Sequence, residues 1–108
     1  MLMEKSGAEQ DCLTPAEVKS LRKEGKNVLI IDVRSPEEFR ERHIPGAVNI
    51  PLESLDQNIG QLTQGTVAVT ACGKGGGRSA KASEWLRQKG FTALWLCGGT
   101  LGWPADED

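Results

Sequence analysis

Residues 66–90 read TVAVTACGKGGGRSAKASEWLRQKG. The opening TVAVTA is a β-branched and small apolar run, suited to a strand buried on both faces. Cys72 follows directly, then Gly73, Lys74, Gly75, Gly76 and Gly77, then Arg78 and Ser79. From about Arg78 to Lys89 the pattern is helical, with Ala82, Trp85 and Leu86 on one face and Gly90 as the stop. A strand that turns through glycines straight into a helix is half of a βαβ unit, with a cysteine at the carboxyl end of its strand.

The flanking segments extend the same alternation. TPAE at 14–17 predicts a helix start, with Thr14 as N-cap, Pro15 in the first turn and Glu17 closing a capping box; SPEE at 35–38 repeats the device with Ser35, Pro36 and Glu38. Between them NVLIIDV, 27–33, predicts a strand buried on both faces. GAVNI at 46–50 predicts a short strand, LESLDQNIGQL a short and irregular helical stretch, and FTALWL at 91–96 a last strand. Alternating strands and helices imply an α/β fold, a parallel sheet covered on both sides. Ligands of such sheets bind beyond the carboxyl ends of the strands, where Cys72 falls.

The loop chemistry follows from its composition. Glycines strip side chains from the turn, so that its N–H groups can converge on one point, and a helix N-terminus adds to the same field. A seat that welcomes an anion also stabilises a thiolate, which makes Cys72 a candidate nucleophile. Arg78 can fork onto two oxygens of an oxyanion and Lys74 supplies a mobile charge. A plain glycine connector beside a small buried cysteine is the alternative; the uninterrupted order of strand, cysteine, glycines, arginine and helix favours a site.

Composition narrows the setting. The chain has 108 residues, 38% of them hydrophobic and 26% charged, with a net charge of −2. That length suits one domain, taken as 11–108 after a flexible N-terminus at 1–10. The mixed charge offers no basic stripe for nucleic acid, and no apolar run is long enough for a membrane helix. MLMEKSGAEQ lacks the apolar core of a signal peptide, which predicts a cytoplasmic protein. The three cysteines, Cys12, Cys72 and Cys97, show no metal-type pairing and there is a single histidine, so no metal site is expected and the thiols are expected to be free. Cys97, at the end of the last strand, is either a small buried residue or a resolving thiol for an oxidised Cys72.

DVRSPEEFRERHIPGAVNIP, 32–51, and FTALWLCGGTLGWP, 91–104, together with the cysteine loop, resemble the signatures of the rhodanese family of single-domain sulfurtransferases. The resemblance implies a rhodanese-like α/β fold with a five-stranded, mostly parallel sheet and helices on both faces. It implies that Cys72 carries a persulfide held by Gly73, Lys74, Gly75, Gly76, Gly77, Arg78 and Ser79. Asp32 and Arg34 are implied as supports beside the loop, and as a pair they read as a structural ion pair rather than a substrate contact. His43 reads as structural too.

Two departures leave a rival open. Five residues separate Cys72 from Arg78, one more than is usual for these sulfurtransferases and the spacing of the related dual-specificity phosphatases and arsenate reductases. Ala71, however, stands where those relatives usually carry histidine. Arg42 replaces the family's usual glycine before His43. The implied activity is transfer of a sulfane sulfur from thiosulfate or a similar small donor to a thiol, cyanide or a sulfur-accepting protein, with no cofactor. A phosphatase or arsenate reductase, and a non-catalytic sulfur-carrying module, are the alternatives.

Overall fold

The computed structural model describes residues 12–104; the expected flexible segment 1–10 and the terminal ADED lie outside them. The chain runs β1 (Cys12–Leu13), α1 (Pro15–Lys23), β2 (Asn27–Asp32), α2 (Pro36–Glu41), β3 (Val48–Asn49), α3 (Leu55–Asn58), β4 (Thr66–Ala71), α4 (Gly77–Gln88) and β5 (Thr92–Leu96), with 3₁₀ turns at Leu52–Ser54, Ile59–Gln61 and Thr100–Gly102. The sheet order is β1-β5-β4-β2-β3. Every strand pair is parallel, so the sheet is parallel throughout rather than mostly so.

Both predicted capping boxes form. Glu17 N–H donates to Thr14 Oγ1 at 3.1 Å and Thr14 N–H to Glu17 Oε1 at 2.9 Å; Glu38 N–H and Ser35 Oγ are 3.2 Å apart, and Ser35 N–H and Glu38 Oε1 3.0 Å. They start α1 and α2 on the residues that the sequence marks. The alternation of adjacent residues across a pleated strand then builds two cores. Ile31 and Ala68 face one side with Leu55, Ala82 and Leu86 from α3 and α4; Ile30 and Val69 face the other with Val18 from α1, Ile44, Leu96 and Trp103.

Two strands differ from expectation. GAVNI shortens to Val48–Asn49, because Gly46 sits in a turn at φ +84° and Pro51 has no N–H to extend the ladder. β1 carries no sequence signal: two residues are too few to show a period. It pairs Cys12 with Trp95 and Leu13 with Leu96, and this register brings Cys12 to Cys97.

These two cysteines are joined in a disulfide, which corrects the expectation of free thiols and removes Cys97 as a resolving thiol for Cys72. The bond closes the edge strand onto β5 across a sequence separation of 85. Cys12→Ser and Cys97→Ser are each expected to lower stability by about 2–4 kcal/mol, with the double variant no worse than either single one, since all three remove the same cross-link. Urea unfolding with and without reductant checks this; a wild type indifferent to reductant contradicts it. No helix among the described residues is long and apolar enough to cross a membrane.

Candidate active site

Cys72 continues β4 by one residue, is 5% exposed, and packs its side chain into the α4-side core. It is the free cysteine of the chain. The turn that follows needs its glycines for backbone reasons: Gly75, Gly76 and Gly77 have φ of +93°, +66° and +45°, a region that side chains disfavour. The loop also lies against a second glycine pair. A Cβ on Gly75 would stand 2.9 Å from Gly98 N, and one on Gly99 would stand 2.4 Å from Cys72 O and 2.6 Å from both Gly73 O and Gly75 N.

This back-to-back packing orients the peptides. Thr100 N–H donates to Cys72 O at 2.7 Å and Leu101 N–H to Gly73 O at 3.0 Å, so both carbonyls face the 98–101 turn. Peptide planarity then sends the N–H groups of Gly73 and Lys74 to the opposite side. The backbone N–H groups of residues 73–78 have no acceptor among the described residues, which is the unpaired amide set an anion seat requires.

The expected convergence of these amides on sulfur is not what the thiol meets. Cys72 Sγ lies 3.2 Å from Gly76 O and 3.3 Å from Ser79 Oγ, and Ser79 Oγ in turn donates to Gly76 O at 2.8 Å. Gly76 O also accepts from Ser79 N–H at 3.0 Å in the first turn of α4. A carbonyl can only accept, so the thiol S–H is the donor in this contact. Ser79 is fully buried, and Thr70 Oγ1 donates to its carbonyl at 2.7 Å, which pins the start of α4 to β4.

Arg78 does not close over the loop. Its Nη1 donates to Glu38 Oε1 at 3.3 Å, with both side chains nearly half exposed, so the first turns of α4 and α2 face each other through this pair. Glu38 is held below the usual carboxylate range, first by the Ser35 N–H and then by Arg78. Lys74 is exposed.

Asp32 and Arg34 form the buried pair expected of them, through Nε–Oδ1 at 2.9 Å and Nη2–Oδ2 at 2.8 Å. Those hydrogen bonds from Arg34 to Asp32 hold the guanidinium above its ordinary pKa. Arg34 Nη2 also donates to Arg42 O, and Asn49 Nδ2 donates to the Asp32 and Arg34 carbonyls at 3.0 Å each. The link to the loop runs through Thr100: its Oγ1 is 3.4 Å from Asp32 Oδ2 while its N–H holds Cys72 O. Sequence reasoning missed Thr100 and the Glu38 contact. The Gly-Gly pair marks the turn in the sequence, but nothing local shows that the turn backs the cysteine loop.

A cysteine-and-glycine loop between a parallel strand and a helix N-terminus, backed by a second glycine turn, defines a cysteine-loop α/β domain. The chain belongs to the rhodanese family: the rhodanese-like domain model matches residues 14–106. It is 36% identical to the thiosulfate sulfurtransferase GlpE of Shewanella oneidensis over 74% of this chain and 79% of that protein. It is also 36% identical to the thiosulfate sulfurtransferase PspE of Escherichia coli, over 64% and 67%. A rhodanese-like domain protein from Staphylococcus aureus superposes with a TM-score of 0.77 at 33% identity, covering 90% of this chain and 94% of that one. Other relatives are much longer: the chain spans 29% of an HTH-type transcriptional regulator and 25% of a probable adenylyltransferase/sulfurtransferase, both from Mycobacterium tuberculosis.

Proposed function

We propose that the protein is a sulfurtransferase that moves a sulfane sulfur from thiosulfate or a similar small donor through a persulfide on Cys72. The observation that carries this reading is the free Cys72 thiol at the end of β4, beside the unpaired amides of residues 73–78. The Cys72 thiolate attacks the outer sulfur of thiosulfate; the S–S bond of the donor breaks and sulfite leaves with its electron pair. An acceptor such as cyanide, a thiol or a sulfur-accepting protein then attacks the outer sulfur of the persulfide and releases the thiolate. Two displacements through a covalent intermediate give ping-pong kinetics.

Ionisation of Cys72 removes the S–H donor and leaves an anion 3.2 Å from the Gly76 carbonyl. Rotation of the Gly76–Gly77 peptide, permitted by the missing Cβ atoms, exchanges that carbonyl for the Gly77 N–H and completes the anion seat. Arg78 and Lys74 receive the sulfonate end of the donor. Arg78 must share itself with Glu38, so Glu38→Gln is expected to lower the KM for thiosulfate about twofold to fivefold, the range of an exposed ion pair. Lowering the pH acts in the same direction. Glu38 ionises below the usual carboxylate range in the folded chain, so its charge supports the fold above the unfolded value. That support, and the competition for Arg78, fade as pH falls through the depressed value. Steady-state kinetics of both proteins check this; a KM raised by the substitution contradicts it.

The longer loop keeps a phosphatase or arsenate reductase as the second reading. A phosphatase needs an acid for its leaving oxygen. The carboxylate beside Arg78 is Glu38, and it is held ionised rather than protonated. Sulfite needs no such acid. Thiocyanate formation from thiosulfate and cyanide is therefore expected to be readily measurable, with aryl phosphate hydrolysis and arsenate reduction negligible; the reverse pattern overturns the reading. The Cys12–Cys97 bond bears on the compartment, because disulfides persist in oxidising surroundings. The cytoplasmic expectation holds only if that pair is reduced in the cell.

A further inference from the structure

The Cys12–Cys97 disulfide lies at the carboxyl end of β5, and Cys72 leaves β4 at the same end of the sheet. The parallel register sets Val67 beside Thr92 and Thr70 beside Trp95, so the chain leaves the sheet at 72 and at 97 on one level. Cys97 runs at once into the 98–101 turn, whose Thr100 and Leu101 N–H groups hold Cys72 O at 2.7 Å and Gly73 O at 3.0 Å. The turn is bonded to itself and to β5: Gly99 N–H donates to Leu96 O at 3.1 Å, Gly102 N–H to Gly98 O at 3.0 Å and Trp103 N–H to Thr100 O at 3.2 Å. It therefore moves as one piece with Cys97. No slack separates it from the cysteine loop, because a Cβ on Gly99 would stand 2.6 Å from both Gly73 O and Gly75 N.

Apart from the disulfide, little fixes Cys97 on its other side. β1 is Cys12 and Leu13 alone, paired with Trp95 and Leu96, and Cys97 N–H donates to Leu13 O at 2.8 Å. A two-residue edge strand has little pairing of its own, and Leu13 is only partly buried. Without the bond β1 frays, and Cys97 loses its cross-link and the acceptor of its N–H together. Both cysteines are half-buried rather than sealed in a core, so a thiol can reach the bond.

We infer that the Cys12–Cys97 disulfide is a redox switch on sulfur transfer: oxidised, it holds the 98–101 turn against the cysteine loop; reduced, it frees the turn, the loop peptides lose their aim and turnover falls. The inference rests on sulfur transfer through Cys72. The reductant is a dithiol. One of its thiolates attacks a sulfur of the pair and the Cys12–Cys97 bond breaks; its second thiol then closes a disulfide within the reductant, so two electrons and two protons pass to the two cysteines.

The test compares oxidised wild type, wild type reduced with dithiothreitol and then freed of it under nitrogen, Cys12→Ser/Cys97→Ser, and Phe91→Ala. Phe91→Ala is the stability control: it removes partly buried apolar surface at the amino end of β5, away from the bond and the turn. Amide hydrogen exchange followed by NMR is expected to run about tenfold faster at Thr100 and Leu101 in reduced wild type and the double variant than in Phe91→Ala, with the Ile30 and Val69 amides of the central strands still protected. Thiosulfate:cyanide kcat/KM is expected to fall about tenfold in the same two proteins and not in Phe91→Ala. Exchange needs no sulfur chemistry, so absence of transfer in oxidised wild type overturns the reading of Cys72, whereas unaccelerated exchange at Thr100 and Leu101 overturns the switch. The switch is also overturned if reduced wild type transfers sulfur as fast as oxidised, if Phe91→Ala loses as much, or if Ile30 and Val69 exchange as freely as Thr100, since reduction then unfolds the whole domain.

Discussion

Cys72→Ser is expected to lose sulfur transfer by at least about a thousandfold, the scale on which removal of a covalent nucleophile acts. A serine hydroxyl occupies nearly the same volume, so the 5% exposed position stays filled. It also keeps a donor for Gly76 O, the present acceptor of the thiol. The stability from urea unfolding should therefore stay within about 1 kcal/mol of wild type. What the variant lacks is a polarisable sulfur able to accept a second sulfur and release it again. Cys12 and Cys97 cannot substitute, because they are bonded to each other. Residual transfer within tenfold of wild type places the nucleophile elsewhere.

Gly99→Ala is expected to cost about 2–4 kcal/mol of stability and at least about a hundredfold in transfer, though residue 99 carries no functional group. Its φ of +63° and ψ of −164° lie in a region that glycine alone occupies readily. The added methyl would stand 2.4 Å from Cys72 O and 2.6 Å from Gly73 O, so either the 98–101 turn or the cysteine loop must move. Either shift breaks the bonds from Thr100 and Leu101 that aim the loop peptides. Gly60→Ala is the control, since a Cβ there meets nothing within 4 Å. Urea unfolding and thiosulfate:cyanide kinetics on the two variants decide; equal behaviour contradicts the role given to the glycine pair.

The fold was legible where local chemistry repeats. Thr14–Glu17 and Ser35–Glu38 announce their helices through residues three apart, and the β-branched apolar runs at 27–33 and 66–71 suit doubly covered strands. Cys72 and its glycines were legible for the same reason, being contiguous, whereas Asp32 and Arg34 were marked only by the family resemblance. The remainder depends on long-range placement. β1 has only Cys12 and Leu13, and its disulfide spans a separation of 85, so no local pattern marks it. Thr100 reaches Asp32 across 68 positions and Arg78 reaches Glu38 across 40. The direction of the Gly76 carbonyl was hidden for a different reason: glycine permits both orientations of a peptide, so composition leaves the choice to packing.

The central claim is that Cys72 carries the transferred sulfur, and intact-protein mass spectrometry after incubation with thiosulfate, followed by peptide mapping under non-reducing conditions, tests it most directly. The account predicts one added sulfur on the wild-type chain, located on the Cys72 peptide, lost on addition of cyanide and absent from Cys72→Ser, with the Cys12–Cys97 peptide pair unchanged. No added sulfur on wild type, or an added sulfur that maps to Cys12 or Cys97, would contradict it.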